Sequence, residues 1–228
     1  IGNNDYNNLP KLRNAINDAE AVYDLLKTKF NFNATLIKNA NRYQILDAIY
    51  NLRNISENDN ILIYYSGHGK IDREANTGYW LPIDAHNERK SKWISDEDIK
   101  AELRTFNAKH ILVIADSCFS GTILKREIEQ FDTENFIELS MLSELAKIKT
   151  RLAITSGGES PVIDKKGNSE HSVFAKELIQ ILKENEDIIL ASQLYKTIKS
   201  RLHLNEKQKP QFDFITDTGS HTGGDFIF

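Results

Sequence analysis

Ile111-Leu112-Val113-Ile114-Ala115-Asp116-Ser117-Cys118-Phe119-Ser120-Gly121 is the stretch on which the fold turns. Five apolar residues without polar alternation describe a strand buried on both faces, the kind found in parallel sheets covered by helices. The run stops at Asp116, so groups able to do chemistry begin where the strand ends. Ile61 to Tyr65 repeats the pattern and breaks at Ser66-Gly67-His68-Gly69, where glycines permit a sharp turn. Arg151 to Thr155 is a third strand, closed by Ser156-Gly157-Gly158.

Helical periodicity fills the spaces between these runs. Apolar residues recur on one face from Leu12 to Phe30 and again from Asn41 to Arg53. Ser95, followed three residues later by Asp98, predicts a capped helix running to about Phe106. Val173 to Leu182 and Ser192 to Leu202 read as two more helices, Ala34 to Lys38 as a short strand, and Asp225 to Phe228 as a last one. Strands alternating with helices predict an α/β sandwich of three layers, a mostly parallel central sheet with helices on both faces. The charged, weakly periodic segment from about residue 122 to 138 reads as a mobile loop, and residues 1–228 read as one domain.

Composition excludes several classes of function. The longest apolar runs are far short of the ~18 residues a spanning helix needs. A formal net charge of -4 argues against a nucleic-acid binder, which carries a basic face for phosphates. The single cysteine forms no internal disulfide, which suits a reducing, cytoplasmic setting and leaves the thiol for chemistry. The chain opens at Ile1 with neither methionine nor leader, as expected of a piece excised from a longer protein.

In open α/β sheets ligands bind beyond the carboxyl ends of the strands, and three such ends carry Ser66 and His68, Asp116 and Cys118, and Ser156 and Gly157. Cysteine proteolysis needs a thiolate, a base that takes and returns its proton, and donors for the oxyanion. A lone cysteine is ordinarily a small core residue and a lone histidine beside glycines a loop residue. Here both stand at strand ends, 50 residues apart, the interval found in caspases. Gly67-His68-Gly69-Lys70 and Gly157-Gly158 lack the spacing of a phosphate loop.

With Tyr64-Tyr65-Ser66-Gly67-His68-Gly69 and Asp116-Ser117-Cys118-Phe119-Ser120-Gly121, the sequence resembles the caspase-like superfamily of cysteine peptidases, metacaspases and bacterial caspase homologues above all. The likeness extends to Ile1-Gly2-Asn3, Asn17-Asp18-Ala19, Ser156-Gly157-Gly158, His171-Ser172-Val173-Phe174-Ala175 and Gly223 to Phe228, nearly the whole chain. In that family a first strand precedes the segment matching Ile1-Gly2-Asn3. The cysteine signature of the caspases proper is absent.

The resemblance implies that Cys118 attacks the scissile carbonyl, that His68 transfers the proton, and that the amides of Gly69 and Cys118 hold the oxyanion. It also implies an acidic specificity pocket at Asp18, Ser66 and Asp116, bordered by Ser156 and Gly157, selecting Arg or Lys before the cut. A carboxylate two residues before the nucleophile disfavours the thiolate, so binding a cation is the better reason for Asp116. Caspases proper cut after Asp with an arginine from the stretch matching residues 12–13, where Arg13 keeps that alternative open. Lys125 and Arg126 fall where relatives cut themselves.

No cofactor is expected. Metacaspases often need calcium, but Gly78 to Asp84 matches their acidic cluster poorly and Lys125 stands where some carry an acidic ligand. Ser95-Asp96-Glu97-Asp98 reads as a helix start rather than a calcium site. Expected partners are protein or peptide substrates, together with sensor or regulatory domains such as bacterial relatives carry, some of them in cell death or defence. His171 reads as ordering the helix that follows it, while His86, His110, His203 and His221 have no catalytic context. The rival reading is a catalytically latent interaction scaffold of the same fold.

Overall fold

The computed structural model of the chain describes residues 1–117, 123–124, 139–157, 169–202, 209–221 and 223–228. Its centre is the strand read first. β5 (His110–Asp116) is buried at every residue, as a run without alternation requires. It pairs in parallel with β1 (Asn60–Ser66) on one side and with β6 (Thr150–Thr155) on the other. β7 (Gln211–Phe214) joins β6 antiparallel, giving a sheet of order β1-β5-β6-β7.

Successive strand residues face opposite ways, so the sheet builds two cores. Leu112, Ile114, Leu152 and Ile154 pack with residues of α1 (Ala15–Thr28), α5 (Val173–Glu184) and α6 (Ala191–Leu202). Ile111, Val113, Ala115 and Ala153 pack with Ile45 and Ile49 of α2 (Arg42–Tyr50) and Ile99 and Leu103 of α3 (Asp96–Arg104). Helices on both faces of a mostly parallel sheet make the three layers expected. α4 (Leu139–Leu145) precedes β6. No helix among the described residues is long and apolar enough to cross a membrane.

The helix starts follow their capping chemistry. Ser95 Oγ accepts from Asp98 N at 3.0 Å and Asp98 Oδ2 accepts from Ser95 N at 2.9 Å, satisfying two amides at the head of α3. Beyond its last turn the buried Arg151 donates from Nε to Leu103 O at 3.3 Å and from Nη2 to Phe106 O at 3.0 Å, occupying carbonyls a helix end leaves over.

Several expectations need correction. Residues 34–38 form no strand: only Lys38 bridges, in parallel, to Gly2, and a segment with one neighbour at one residue has no ladder. Asp225–Phe228 gives a single bridge, Ile227 to Leu190, and the last strand is β7 instead. The first helix begins at Ala15, because Leu12 packs instead with the small cluster of Tyr6, Leu81 and Trp93. A second antiparallel sheet of β2 (Gly69–Asp72), β3 (Thr77–Trp80) and β4 (Ile94–Ser95) follows the histidine. The 122–138 segment lies outside the described residues apart from Ile123, which is buried, and Leu124.

Gly2 bridges in parallel to Ser66 as well as Lys38, which sets the chain start between β1 and residues 34–38. The Ile1 backbone nitrogen donates to Tyr64 O at 2.9 Å. Beside it a groove of about 630 Å³ runs between Phe32–Ile37 and Asn60–Tyr64, along the edge of β1 that β5 does not cover.

Candidate active site

β1 delivers the chain to His68 through Gly67. A Cβ on Gly67 would lie 2.7 Å from Tyr6 Oη and 2.8 Å from Tyr65 Oη, so the turn is closed to any larger residue without displacing a ring. The His68 backbone is held on both sides: its N–H donates to Tyr6 Oη at 2.7 Å, and its carbonyl accepts from Leu81 N at 3.0 Å and from Tyr65 Oη at 2.9 Å. The ring leans on Tyr6, with centroids 4.5 Å apart and planes at 53°. Nε2 lies 2.8 Å from Pro10 O. A carbonyl only accepts, so in the neutral ring Nε2 carries the proton and Nδ1 is the basic nitrogen.

Gly69 opens β2 opposite Trp80. Leu81 N donates to His68 O, which makes 68 and 81 the hydrogen-bonded pair. The alternation of an antiparallel ladder then turns the Gly69 N–H away from β3. Ser66 stands in register with Asp116, and Gly67 N donates to Asp116 O at 3.4 Å. The parallel pairing of β1 with β5 thus brings the His68 turn and the end of β5 to one edge of the sheet. Cys118 follows Asp116 by two residues and lies outside the described residues, as do Lys125 and Arg126.

Two carboxylates meet beneath the head of α5. Asp18, from α1, and Asp116, from β5, are each 1% exposed, and Ser66 is buried with them. Ser172, the N-cap of α5, joins the pair: its N–H lies 3.3 Å from each Asp18 oxygen, and its Oγ donates to Asp116 Oδ2 at 2.5 Å while accepting from Ala175 N at 2.9 Å. His171 Nδ1 lies 2.8 Å from Asp18 Oδ1. The Tyr64 phenol is pushed well above its ordinary range, first by burial and then by the charges of Asp116 and Asp18. The positive end of α5 faces both acids, an arrangement that suits their ionised forms.

Ser156 and Gly157 stand at the end of β6. Ser156 is fully buried, donating from N to Ala115 O at 3.0 Å and from Oγ to Ser117 O at 3.4 Å. Gly157 has φ +64°, and a Cβ there would fall 1.6 Å from Lys209 O, so the backbone crossing before β7 already requires this glycine. Arg13 is exposed ahead of α1, its carbonyl accepting from Asn4 Nδ2 at 3.1 Å.

Asp96, Asp98 and His110 have local partners. Asp96 Oδ2 accepts from Gly78 N at 3.2 Å, and Asp98 closes the capping box and pairs with Arg42 at 3.3 Å. Among the described residues no three His, Cys, Asp or Glu side chains gather as a metal site. His110 is buried between Asn60 Oδ1 and Ile148 O, its pKa lowered by that burial.

Two site residues escape a reading by motif: Tyr6 and Pro10 lie in an irregular stretch just after the first bridge. His171, expected to order the helix that follows it, also bonds Asp18, and Ser172, the N-cap of α5, meets both carboxylates.

A family model described as the caspase domain matches residues 1–219. A crystal structure of a protein from Geobacter sulfurreducens superposes with a TM-score of 0.66 at 21% identity, covering 93% of this chain and 90% of that one. That likeness is one of fold. No curated protein matches the sequence.

Proposed function

The chain belongs to the caspase-domain family of cysteine peptidases, and on that premise we propose that it is an endopeptidase cutting protein substrates after Arg or Lys. Cys118 attacks the scissile carbonyl and His68 accepts its proton at Nδ1, then returns it to the leaving amine. Pro10 O serves as the orienting third group, since its bond to Nε2 fixes the ring and the tautomer. The Gly69 and Cys118 amides receive the oxyanion.

The observation that carries the specificity is the pairing of Asp18 and Asp116, two buried carboxylates from different elements bound to one residue, Ser172. Burying two acids side by side is unfavourable unless a cation or strong donors meet them. A guanidinium or ammonium from the substrate supplies that charge. Arg13, by contrast, is exposed, which makes cleavage after Asp the weaker alternative. Ser66 lines the pocket, Ser156 and Gly157 border it, and Lys125 or Arg126 would be its first substrate in self-processing.

Turnover of peptides varied only before the scissile bond, by wild type and Cys118→Ala, tests the proposal. Cys118-dependent cutting after Arg or Lys is the expected result. Preference for Asp overturns the pocket assignment, and absence of any Cys118-dependent cutting favours a latent scaffold.

A further inference from the structure

We propose that His171 is a gate on the carboxylate pair: its imidazole holds Asp18 in the empty pocket and turns outward when the substrate's basic side chain arrives. The inference rests on the Arg or Lys specificity proposed above and deepens it.

The carboxylates lie under cover. Asp18 is 1% exposed, whereas the imidazole bonded to its Oδ1 is 28% exposed, so His171 joins the buried acid to solvent. A cation entering by that route meets the imidazole before it meets the acid. Capping does not account for His171, because Ser172 already supplies the acceptor for the first turn of α5. His171 itself is outside the helix, in a bend that begins at Glu170, and its side chain can swing without breaking a helical hydrogen bond.

The exchange is chemically balanced. When the imidazole leaves, the Ser172 N–H remains at 3.3 Å from both Asp18 oxygens. The donor lost at Oδ1 is replaced by a guanidinium or ammonium N–H, a charge-assisted bond of the kind a carboxylate favours most. An acidic or apolar side chain has no donor to offer, so it leaves the gate shut. His171 thereby adds a second stage of discrimination to that of the acids themselves.

Calorimetric titration in the Cys118→Ala background tests this without turnover, using a capped peptide with Arg before the scissile position and its Asp counterpart. The expected result is that His171→Ala binds the Arg peptide about fivefold more tightly, the gain from a competing hydrogen bond removed. His171→Gln, which keeps an N–H donor within reach and protects the fold, falls between Ala and wild type. The Asp peptide shows no change across the series. Arg affinity that is unchanged or weaker in both variants, with the Arg preference intact, overturns the gate and leaves the basic pocket standing. Loss of the Arg preference in the Cys118→Ala protein itself overturns both.

Discussion

His68 Nε2 and the carbonyl oxygen of Pro10 stand 2.8 Å apart although 58 residues separate them in the chain. The contact depends on Tyr6, whose Oη receives the His68 amide and whose ring supports the imidazole. Tyr6→Phe keeps the ring and removes that acceptor. We expect kcat to fall roughly tenfold as the base loses its alignment, with stability lower by about 1–3 kcal/mol for the amide left unmatched. Steady-state kinetics beside urea unfolding separates the two effects; unchanged kcat would show that the aromatic contact alone aligns the ring.

Asp18→Asn and Asp116→Asn each replace a carboxylate by a neutral group of the same shape. If these acids read the substrate cation, kcat/KM for Arg peptides drops about 10- to 100-fold in either variant, the worth of one charge-assisted bond. Equal loss on Arg and Asp peptides would point to a structural role instead.

Gly157 and Gly223 both have positive φ, +64° and +93°, but only Gly157 has backbone in the way of a Cβ. Gly223→Ala should therefore cost about 1 kcal/mol from backbone strain alone. Gly157→Ala adds overpacking against Lys209 and should cost about 3 kcal/mol or more. Urea midpoints of the two variants give the comparison, and similar values would mean the Lys209 segment moves aside freely.

The sheet and its site were legible to different depths. β1, β5 and β6 were readable within a residue: the central β5 needs an unbroken apolar run, and β1 and β6 on either side carry runs that stop at Ser66 and Thr155. The head of α3 was readable from Ser95 and Asp98 alone. The second sheet was not: Gly69–Asp72 is only half-buried throughout, so no apolar pattern marks it. At the site, His68 and Asp116 stood out by their place at strand ends. Pro10 did not, since its contribution is a carbonyl oxygen that every residue possesses. The approach of His171 to Asp18 is made by residues 153 apart, and no local pattern encodes it.

Stability should depend on pH through Asp225. Burial raises its carboxyl from 3.8 to about 6, so between those values the folded chain binds the proton and the unfolded chain does not. Its share of stability is present below 3.8 and is lost as pH rises through 6, with a slope of up to about 1.4 kcal/mol per pH unit. Urea unfolding across that window, in wild type and in Asp225→Asn, checks this; equal slopes would place the dependence elsewhere.

The parallel ladder that pairs Asn60 with His110, and His110 with Thr150, has a consequence for biosynthesis. Such long-range pairings are among the last to form, because chain entropy is surrendered before contacts return it. His68, Asp116 and Ser156 stand at the ends of three strands of that one ladder, and Ser172 at the head of α5, later in the sequence, is the residue that binds both Asp18 and Asp116. A ribosome-bound fragment that ends before α5 therefore carries the proposed nucleophile and base but no finished pocket. The order of the chain itself delays completion of the proposed pocket until α5 has been made.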